Sequence, residues 1–195
     1  MPSPIDDAQI HQIVQRVVGQ ALGASAQETV TPTPAPAPKQ AETSSAGKVV
    51  ALGADHGGFE MKEMLKVDLK ALGFEIKDVG TNSKEAVDYP DFAHAVAQLV
   101  GTGQAWRGIM IDGAGIGSCI VANKVPGVRA GLAYDLTSAS NSREHNDTNV
   151  LTLGAGLIGL NLAKQIVKTW LTAEFNDRHL KRIHKITSVE QQYLK

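Results

Sequence analysis

The sequence has little cysteine, little net charge and no long apolar run. Among its 195 residues Cys119 is the one cysteine, so no disulfide bond can form within a subunit, as expected in a reducing compartment. The formal net charge of −1 argues against a protein that binds nucleic acid. No apolar run approaches the roughly 20 residues that a membrane-spanning helix needs, and the first residues lack the features of a secretory signal peptide. We therefore expect a cytoplasmic protein without a membrane partner.

The first 47 residues differ in character from the rest of the chain. Residues 1–24 predict an isolated amphipathic helix, because the apolar residues within 5–22 recur on one helical face and two aspartates lie near its positive N-terminal end. Residues 25–47 are rich in proline, alanine and small polar side chains, which cannot bury a core, so we expect a disordered linker. The predicted helical face consists of Ile10, Ile13, Val14, Val17, Val18, Ala21 and Leu22.

The sequence is consistent with three interpretations of this N-terminal segment. The helix packs on its own domain, it pairs with its copy in an oligomer, or it is a targeting peptide that lays its apolar face in a partner's groove. A short amphipathic helix on a Pro/Ala-rich linker resembles the encapsulation peptides that direct cargo enzymes into bacterial microcompartments. That resemblance implies shell proteins as partners of residues 5–22 and the microcompartment lumen as the location.

The remaining residues, 48–195, predict one α/β domain. Five apolar stretches of strand length alternate with stretches of helical periodicity. Repeated βα units with short connections require a parallel sheet that is covered on both faces, so we expect a Rossmann-like three-layer sandwich with a five-stranded parallel sheet. In such folds ligands bind at the carboxyl ends of the strands. The predicted strands are 48–53, 74–79, 108–111, 127–133 and 149–153.

The stretch 107–124, RGIMIDGAGIGSCIVANK, is the centre of this domain. A buried strand ends at Asp112, and three alternating glycines follow, which allow positive φ and close approach to a ligand. We predict that Ser118 caps a helix beginning at Cys119, so that backbone N–H groups face a phosphate or an oxyanion. The alternative is a tight strand-to-helix turn in which the glycines serve packing. The spacing departs from the dinucleotide fingerprint, so we predict no nicotinamide cofactor.

Further polar residues follow other predicted strands, and we expect them at the same carboxyl edge. They are Asp55 and His56, the loop 81–90, the stretch 143–147, and the pair Arg178 and Arg182 one helical turn apart. Each has a structural alternative, such as capping a helix or forming a solvated face. Together they fit recognition of a small polyhydroxylated anion, and no tight zinc-type spacing is present, so no metal is predicted.

Several motifs in order carry a family resemblance. They are Ala54-Asp55-His56-Gly57-Gly58, Asp88-Tyr89-Pro90, Gly113-x-Gly-x-Gly117, Ala122-Asn123-Lys124, Gly127-Val128-Arg129-Ala130 and Ser142-Arg143-Glu144-His145-Asn146-Asp147. From about residue 48 the chain resembles the ribose-5-phosphate isomerase B and galactose-6-phosphate isomerase family. The resemblance implies a homodimer or a dimer of dimers, no cofactor, and aldose–ketose interconversion of a phosphorylated sugar through a cis-enediolate.

The same resemblance implies a role for each matching residue. Asp112 is the base, His145 opens the sugar ring, and Asn146 stabilises the enediolate together with the glycine loop. Asp55 holds sugar hydroxyls, His56 lies by the phosphate, and Arg178 and Arg182 clamp the phosphate across the dimer interface. The substrate-binding residues are then Asp55, His56, Tyr89, Gly113, Gly115, Gly117, Ser118, Arg178 and Arg182.

Three departures from the family pattern keep two functions open. The best-known ribose-5-phosphate enzymes place a cysteine where this chain has Asp112, and a hydroxyl residue where it has Ala114. Relatives without that cysteine carry a glutamate at the position of Ser118. An arginine often found after the HND motif is replaced by Gly156. This pattern resembles one galactose-6-phosphate isomerase subunit.

The leading hypothesis is an isomerase that uses Asp112 as its base, with ribose 5-phosphate and ribulose 5-phosphate as its sugars. A carboxylate is an adequate group for such a proton transfer, but a weaker base than a thiolate. Cys119 is predicted to point into the core instead of replacing it. The alternative is a non-catalytic or partner-dependent sugar-phosphate-binding subunit. The sequence does not decide between pentose and hexose.

Overall fold

A computed structural model describes residues 48–193 and the single position 12. All the elements below belong to one unit of the chain, Thr43–Lys195. Apart from position 12, the helix predicted within residues 1–24 and the linker predicted at 25–47 lie outside the described residues. In the described part, no helix is both long and apolar enough to cross a bilayer.

Strands and helices alternate through this unit as far as β5, and two further helices follow that strand. The strands are β1 Val49–Ala54, β2 Glu75–Gly80, β3 Arg107–Asp112, β4 Ala130–Leu132 and β5 Val150–Gly154. The helices are α1 Phe59–Ala71, α2 Tyr89–Gly101, α3 Ile116–Ala122, α4 Leu136–Asn146, α5 Leu160–Thr172 and, after a short 3₁₀ turn at Asp177–His179, α6 Leu180–Tyr193. Two of these boundaries differ from the sequence prediction in ways that matter for the site: α3 begins earlier and β4 is shorter.

The five strands form one parallel sheet in the order β2-β1-β3-β5-β4. β3 occupies the centre, and all six of its residues are buried, as its continuous apolar run predicts. Its last residue, Asp112, is level with Gly154 at the end of β5. The predicted Rossmann-like fold with a five-stranded parallel sheet is confirmed.

Helices cover both faces of the sheet, which makes three layers. One buried cluster joins the sheet to α1, α4 and α5, and a second joins it to α2 and α3. The side chains of β1 divide between them, since Leu52 belongs to the first cluster and Ala51 to the second. Gly108 lets α2 pack close to the sheet, because a Cβ there would lie 2.6 Å from a methyl carbon of Val96.

The fourth strand is shorter than its sequence predicts. Residues 127–133 have strand-like composition, but β4 spans only Ala130–Leu132. Gly127 has a φ of +77°, and the N–H of Arg129 donates to the side-chain oxygen of Asn149 at 2.8 Å. The side chain of Asn149 therefore takes the place of a ladder partner at the start of the strand.

Candidate active site

Asp112 ends β3 and holds the glycine loop together. Its carboxylate is 4% exposed, and Oδ1 accepts hydrogen bonds from the N–H groups of Ala114 (2.8 Å) and Gly115. Oδ2 accepts one from the N–H of Ser118 (3.2 Å) and another from its hydroxyl. Four donors therefore converge on this carboxylate, and they bind it to the first turn of α3.

The start of α3 corrects the predicted cap. The helix begins at Ile116, after Gly115 with a φ of +78°, not at Cys119. Ser118 is thus inside the first turn, fully buried, and its hydroxyl donates to Asp112. The prediction that Ser118 caps the helix is wrong, because the carboxylate of Asp112 is the stronger acceptor for the free N–H groups of this turn.

The three glycines of the loop have different surroundings. A Cβ at Gly115 would lie 2.5 Å from Leu132, and one at Gly117 would lie 2.5 Å from the ring of Tyr89. A Cβ at Gly113 would meet nothing within 4 Å. Tyr89, at the start of α2, therefore packs directly over the loop, while Gly113 borders open space.

The loop after β1 lies beside the glycine loop. Asp55 is 8% exposed, and its Oδ1 accepts a hydrogen bond from the N–H of Gly58 at 2.9 Å. The neighbouring Gly57 is close to Gly113, since a Cβ on it would lie 3.8 Å from the nitrogen of Gly113. The Nδ1 atom of His56 lies 3.1 Å from the carbonyl oxygen of Val87, so His56 joins this edge to the loop that precedes α2.

The carboxyl edge therefore gathers Asp55, His56, Tyr89 and Asp112 around the glycine loop, as the sequence predicts. Cys119 takes no part in this arrangement. Its sulfur lies 3.5 Å from the carbonyl oxygen of Ala130 in β4, and burial raises the pKa of its thiol.

The stretch 143–147 lies at the opposite edge of the sheet. After β4 the chain enters α4, which returns across the sheet and delivers its last residues to the start of β5. There the N–H of Asn149 donates to the carbonyl of Arg129, which precedes β4. The expectation that His145 and Asn146 share the carboxyl edge with Asp112 is wrong within one chain. The physical reason is that a helix following a parallel strand runs back to the amino edge.

The amino edge also holds both arginines of the predicted phosphate clamp. The rings of His145 and His179 lie 4.3 Å apart. The Nε of Arg178 donates to Nε2 of His179 at 2.9 Å, and Nη1 of Arg182 lies 2.6 Å from its Nδ1. Removal from water, followed by the positive charges of His145, Arg178 and Arg182, lowers the pKa of His179. Within residues 48–193, neither arginine pairs with a carboxylate.

Sequence reasoning assigned no role to two residues that the structure connects to these groups. His179 contacts both arginines, one through each ring nitrogen, and its position next to Arg178 and three residues before Arg182 is the signal for it. Tyr134 donates its hydroxyl to the carbonyl oxygen of Ala114 at 2.8 Å and so fixes the glycine loop. No pattern in the sequence pointed to Tyr134.

Comparison with known proteins places the chain in a family. A family model described as Ribose/Galactose Isomerase matches residues 50–186. The chain belongs to the ribose/galactose isomerase family. Within the described residues, no group of three or more His, Cys, Asp or Glu side chains is arranged to hold a metal ion.

Members of the ribose/galactose isomerase family match the domain over nearly their whole length. Ribose-5-phosphate isomerase B of Escherichia coli (strain K12) is 46% identical over 145 residues, which cover 74% of this chain and 97% of the relative. A D-erythrulose-4-phosphate isomerase of Pectobacterium atrosepticum is 41% identical, covering 65% of this chain and 84% of the relative. The structure of Clostridium thermocellum ribose-5-phosphate isomerase B superposes with a TM-score of 0.73 at 48% identity, covering 74% of this chain and 99% of that one.

Proposed function

We propose that the protein is an aldose–ketose isomerase of a phosphorylated sugar, with ribose 5-phosphate and ribulose 5-phosphate as its substrate and product. Membership of the ribose/galactose isomerase family supports the reaction class, and the name of the 46% identical relative supports the five-carbon sugar. Another relative is named for D-erythrulose 4-phosphate, a four-carbon sugar phosphate. Turnover of ribose 5-phosphate should therefore be compared with turnover of D-erythrulose 4-phosphate.

The observation that carries the proposal is the division of the site into two complementary halves. The carboxyl edge supplies a carboxylate and the open glycine loop, and the amino edge supplies an imidazole and two guanidiniums that pair with no carboxylate of residues 48–193. Within one chain the halves are separated by the length of the strands, roughly 17–20 Å. A small sugar phosphate does not span that distance, so we infer that a second copy brings its amino edge to the carboxyl edge of the first.

An apolar surface next to the glycine loop supports such a dimer. Ile116 and Ile120 on α3 and Leu157 after β5 are 51%, 58% and 62% exposed. Large apolar side chains grouped beside a polar site are typical of a surface that is buried against another protein. This surface supports the proposal of a homodimer, or of a dimer of such dimers.

In this dimer the chemistry is a pair of proton transfers. His145 of the partner subunit opens the sugar ring, and Asp112 takes the proton from the carbon next to the carbonyl and returns it to the carbonyl carbon. The hydroxyl proton passes from the oxygen of the first carbon to the oxygen of the second, so that the hydroxyl and the carbonyl exchange places. The carboxylate of Asp112 already accepts hydrogen bonds from the N–H groups of Ala114, Gly115 and Ser118. The enediolate oxygen is therefore stabilised by the N–H groups that remain in the loop, together with Asn146 of the partner subunit.

The decisive experiment measures isomerisation by the full-length protein and by two matched variants. Asp112→Asn keeps the shape but removes the base, so kcat is expected to fall at least about 100-fold. Ser118→Ala removes one of the four donors, the Ser118 hydroxyl, and leaves the carboxylate with its three backbone N–H donors, so turnover is expected to fall far less than in Asp112→Asn. Circular dichroism of both variants excludes unfolding as the cause. Equal rates for wild type and Asp112→Asn would remove Asp112 from the mechanism.

A second function is favoured by the same hydrogen bonds. A carboxylate whose two oxygens already accept four hydrogen bonds fixes a loop and has few lone pairs left to face a substrate. With Ala114 and Gly156 also departing from the family pattern, a sugar-phosphate-binding subunit that acts with a differing partner remains the rival. Tight binding of ribose 5-phosphate without turnover by the wild-type protein would establish it.

For the N-terminal segment we propose that residues 5–22 are an encapsulation peptide and that the enzyme is cargo of a bacterial microcompartment. The support is the amphipathic pattern and the Pro/Ala-rich stretch that follows it. Deleting residues 1–46 is expected to leave folding and turnover unchanged and to abolish co-localisation with shell proteins in cells. Loss of the folded dimer instead would show that the segment packs on its own oligomer.

A further inference from the structure

We propose that Lys48, Arg107 and Arg143 form a second anion site, which binds a phosphate group at the amino edge of the sheet. These three cations line a cavity of about 230 Å³ together with Trp106 and residues 171–175. None of the residues assigned above to catalysis or to the phosphate clamp lines it. The ligand class is free phosphate or a phosphate monoester.

Arg107 supplies the floor of the cavity. It is 6% exposed, and its Nη1 donates to the carbonyl oxygens of Trp170 (2.8 Å) and Leu171 (3.0 Å). The guanidinium carbon lies 4.1 Å from the ring centroid of Trp106 and 5.1 Å from that of Trp170. Among residues 48–193 no carboxylate forms an ion pair with it. Two indole rings and two carbonyls thus hold the guanidinium in place without a carboxylate in direct contact among these residues.

Arg143 supplies a second buried cation that is incompletely satisfied. It is 7% exposed, and its Nη1 donates to Asp147 Oδ1 (2.7 Å) and to the carbonyl of Thr148 (2.5 Å). Its Nε is buried without an acceptor in the described part of the chain. Asp147 also pairs with Arg129 at 2.6 Å, so one carboxylate is shared between two guanidiniums. A buried charged donor without a partner is costly, and an anion in the cavity would relieve that cost.

The charges around the cavity favour a dianion. Burial, and then the positive charge of Arg143, lowers the pKa of Arg107 to about 9, which shows that the two guanidiniums oppose each other. Lys48 lies beside them, with its Nζ 4.4 Å from the ring centroid of Trp106. Glu174 is the carboxylate among the lining residues, and it is exposed. Guanidinium forks match phosphate oxygens in geometry and charge, so a phosphate group fits this set.

The test uses the full-length protein with Arg178→Gln and Arg182→Gln, which removes the other arginine pair. Inorganic phosphate and glycerol 3-phosphate are titrated separately against sodium chloride of equal ionic strength. Both tryptophans of the chain flank Arg107, so their fluorescence reports on the cavity, and calorimetry gives the stoichiometry. We expect saturable binding at one site per chain. Tighter binding of inorganic phosphate would identify free phosphate as the ligand, and tighter binding of glycerol 3-phosphate would identify a phosphate monoester.

Further variants in the same background locate that binding. Lys48→Gln and Arg107→Gln are expected to weaken it at least about tenfold, as loss of a charge-assisted contact does. Lys168→Gln is the matched control, because Lys168 lines the neighbouring groove and not this cavity, and it should bind as the parent does. If Arg107→Gln does not fold, Lys48→Gln decides, since Lys48 is only half-buried. A response no greater than that to chloride, or unchanged affinity in Lys48→Gln, would overturn the proposal.

Discussion

At the residue scale, His179 has an unusual set of neighbours. A neutral imidazole has one acceptor nitrogen, yet both ring nitrogens face guanidinium groups, those of Arg178 and Arg182. One of the two contacts therefore sets a donor against a donor, and an anion between the arginines would remove that conflict. This is the physical basis for treating the pair as a phosphate clamp instead of a solvated helix face.

The lowered pKa of His179 predicts a pH dependence of stability. Its folded-state pKa lies below the ordinary value of about 6.5, so the unfolded state takes up the proton more readily. The contribution of His179 is therefore complete above about pH 6.5 and is lost as the pH falls towards its folded-state pKa. Urea unfolding at pH 7.5 and pH 5.5 should show a larger loss of stability for wild type than for His179→Gln.

The control for this comparison is His184→Gln, which removes an exposed histidine of α6. The His184→Gln variant should lose as much stability between pH 7.5 and pH 5.5 as the wild type does. If His179→Gln loses as much stability between pH 7.5 and pH 5.5 as the wild type does, the lowered pKa of His179 does not cause the pH dependence of stability. Added phosphate should reduce the loss in the wild type, because a bound anion favours the charged imidazole.

At the scale of secondary structure, most elements follow from residue periodicity. In α1, Met61, Leu65 and Leu69 recur at helical spacing and are all buried, and the central strand lies where its apolar run indicates. The errors arise where a side chain competes with the backbone. Asp112 takes the N–H groups of the first turn of α3, and Asn149 takes a bond at the start of β4. Such side-chain acceptors carry no periodic signal.

The glycine loop gives a prediction at this scale. Gly115 and Gly103 have similar positive φ values, +78° and +72°. A Cβ at Gly115 would lie 2.5 Å from Leu132 and 2.9 Å from the backbone of Leu153, whereas a Cβ at Gly103 would meet nothing within 4 Å. Gly103→Ala should cost about 1 kcal/mol of unfolding free energy, from backbone strain alone. Gly115→Ala should cost about 3 kcal/mol or more, since strain and overpacking add.

Chemical denaturation of the two variants measures this difference. Isomerase turnover should fall in Gly115→Ala, because the start of α3 must shift, and should be unchanged in Gly103→Ala. Similar stability losses in the two variants would mean that close packing of the loop against β4 and β5 contributes little.

At the scale of the whole molecule, the sequence predicts the fold and the residues of the site but not their distribution. The motifs lie in or directly beside the predicted elements, yet the sequence predicts the motif around His145 at the carboxyl edge because it follows a strand in the chain. Its true edge depends on α4, which carries it back across the sheet. The structure therefore separates Asp112 from His145 in one chain, and the predicted site is complete only if a second copy supplies the missing half.

Mixing two inactive variants tests that arrangement directly. Asp112→Asn and His145→Asn homodimers each carry a defect in both shared sites, so both should be inactive. In a heterodimer the two substitutions fall in one site, and the other site receives an intact Asp112 and an intact His145. Random exchange makes half of the dimers heterodimers with one intact site of two, so turnover should recover to about a quarter of wild type.

The recovery should require subunit exchange, achieved by unfolding and refolding the two variants together. Refolding each variant alone and mixing afterwards is the control, and it should give no activity while the dimers stay intact. If the variants refolded together also stay inactive, although heterodimers are present by native mass spectrometry, both groups must act within one chain. That result would contradict the shared site, and with it the inference that the strands hold the two edges of a single subunit too far apart for one small substrate to reach both.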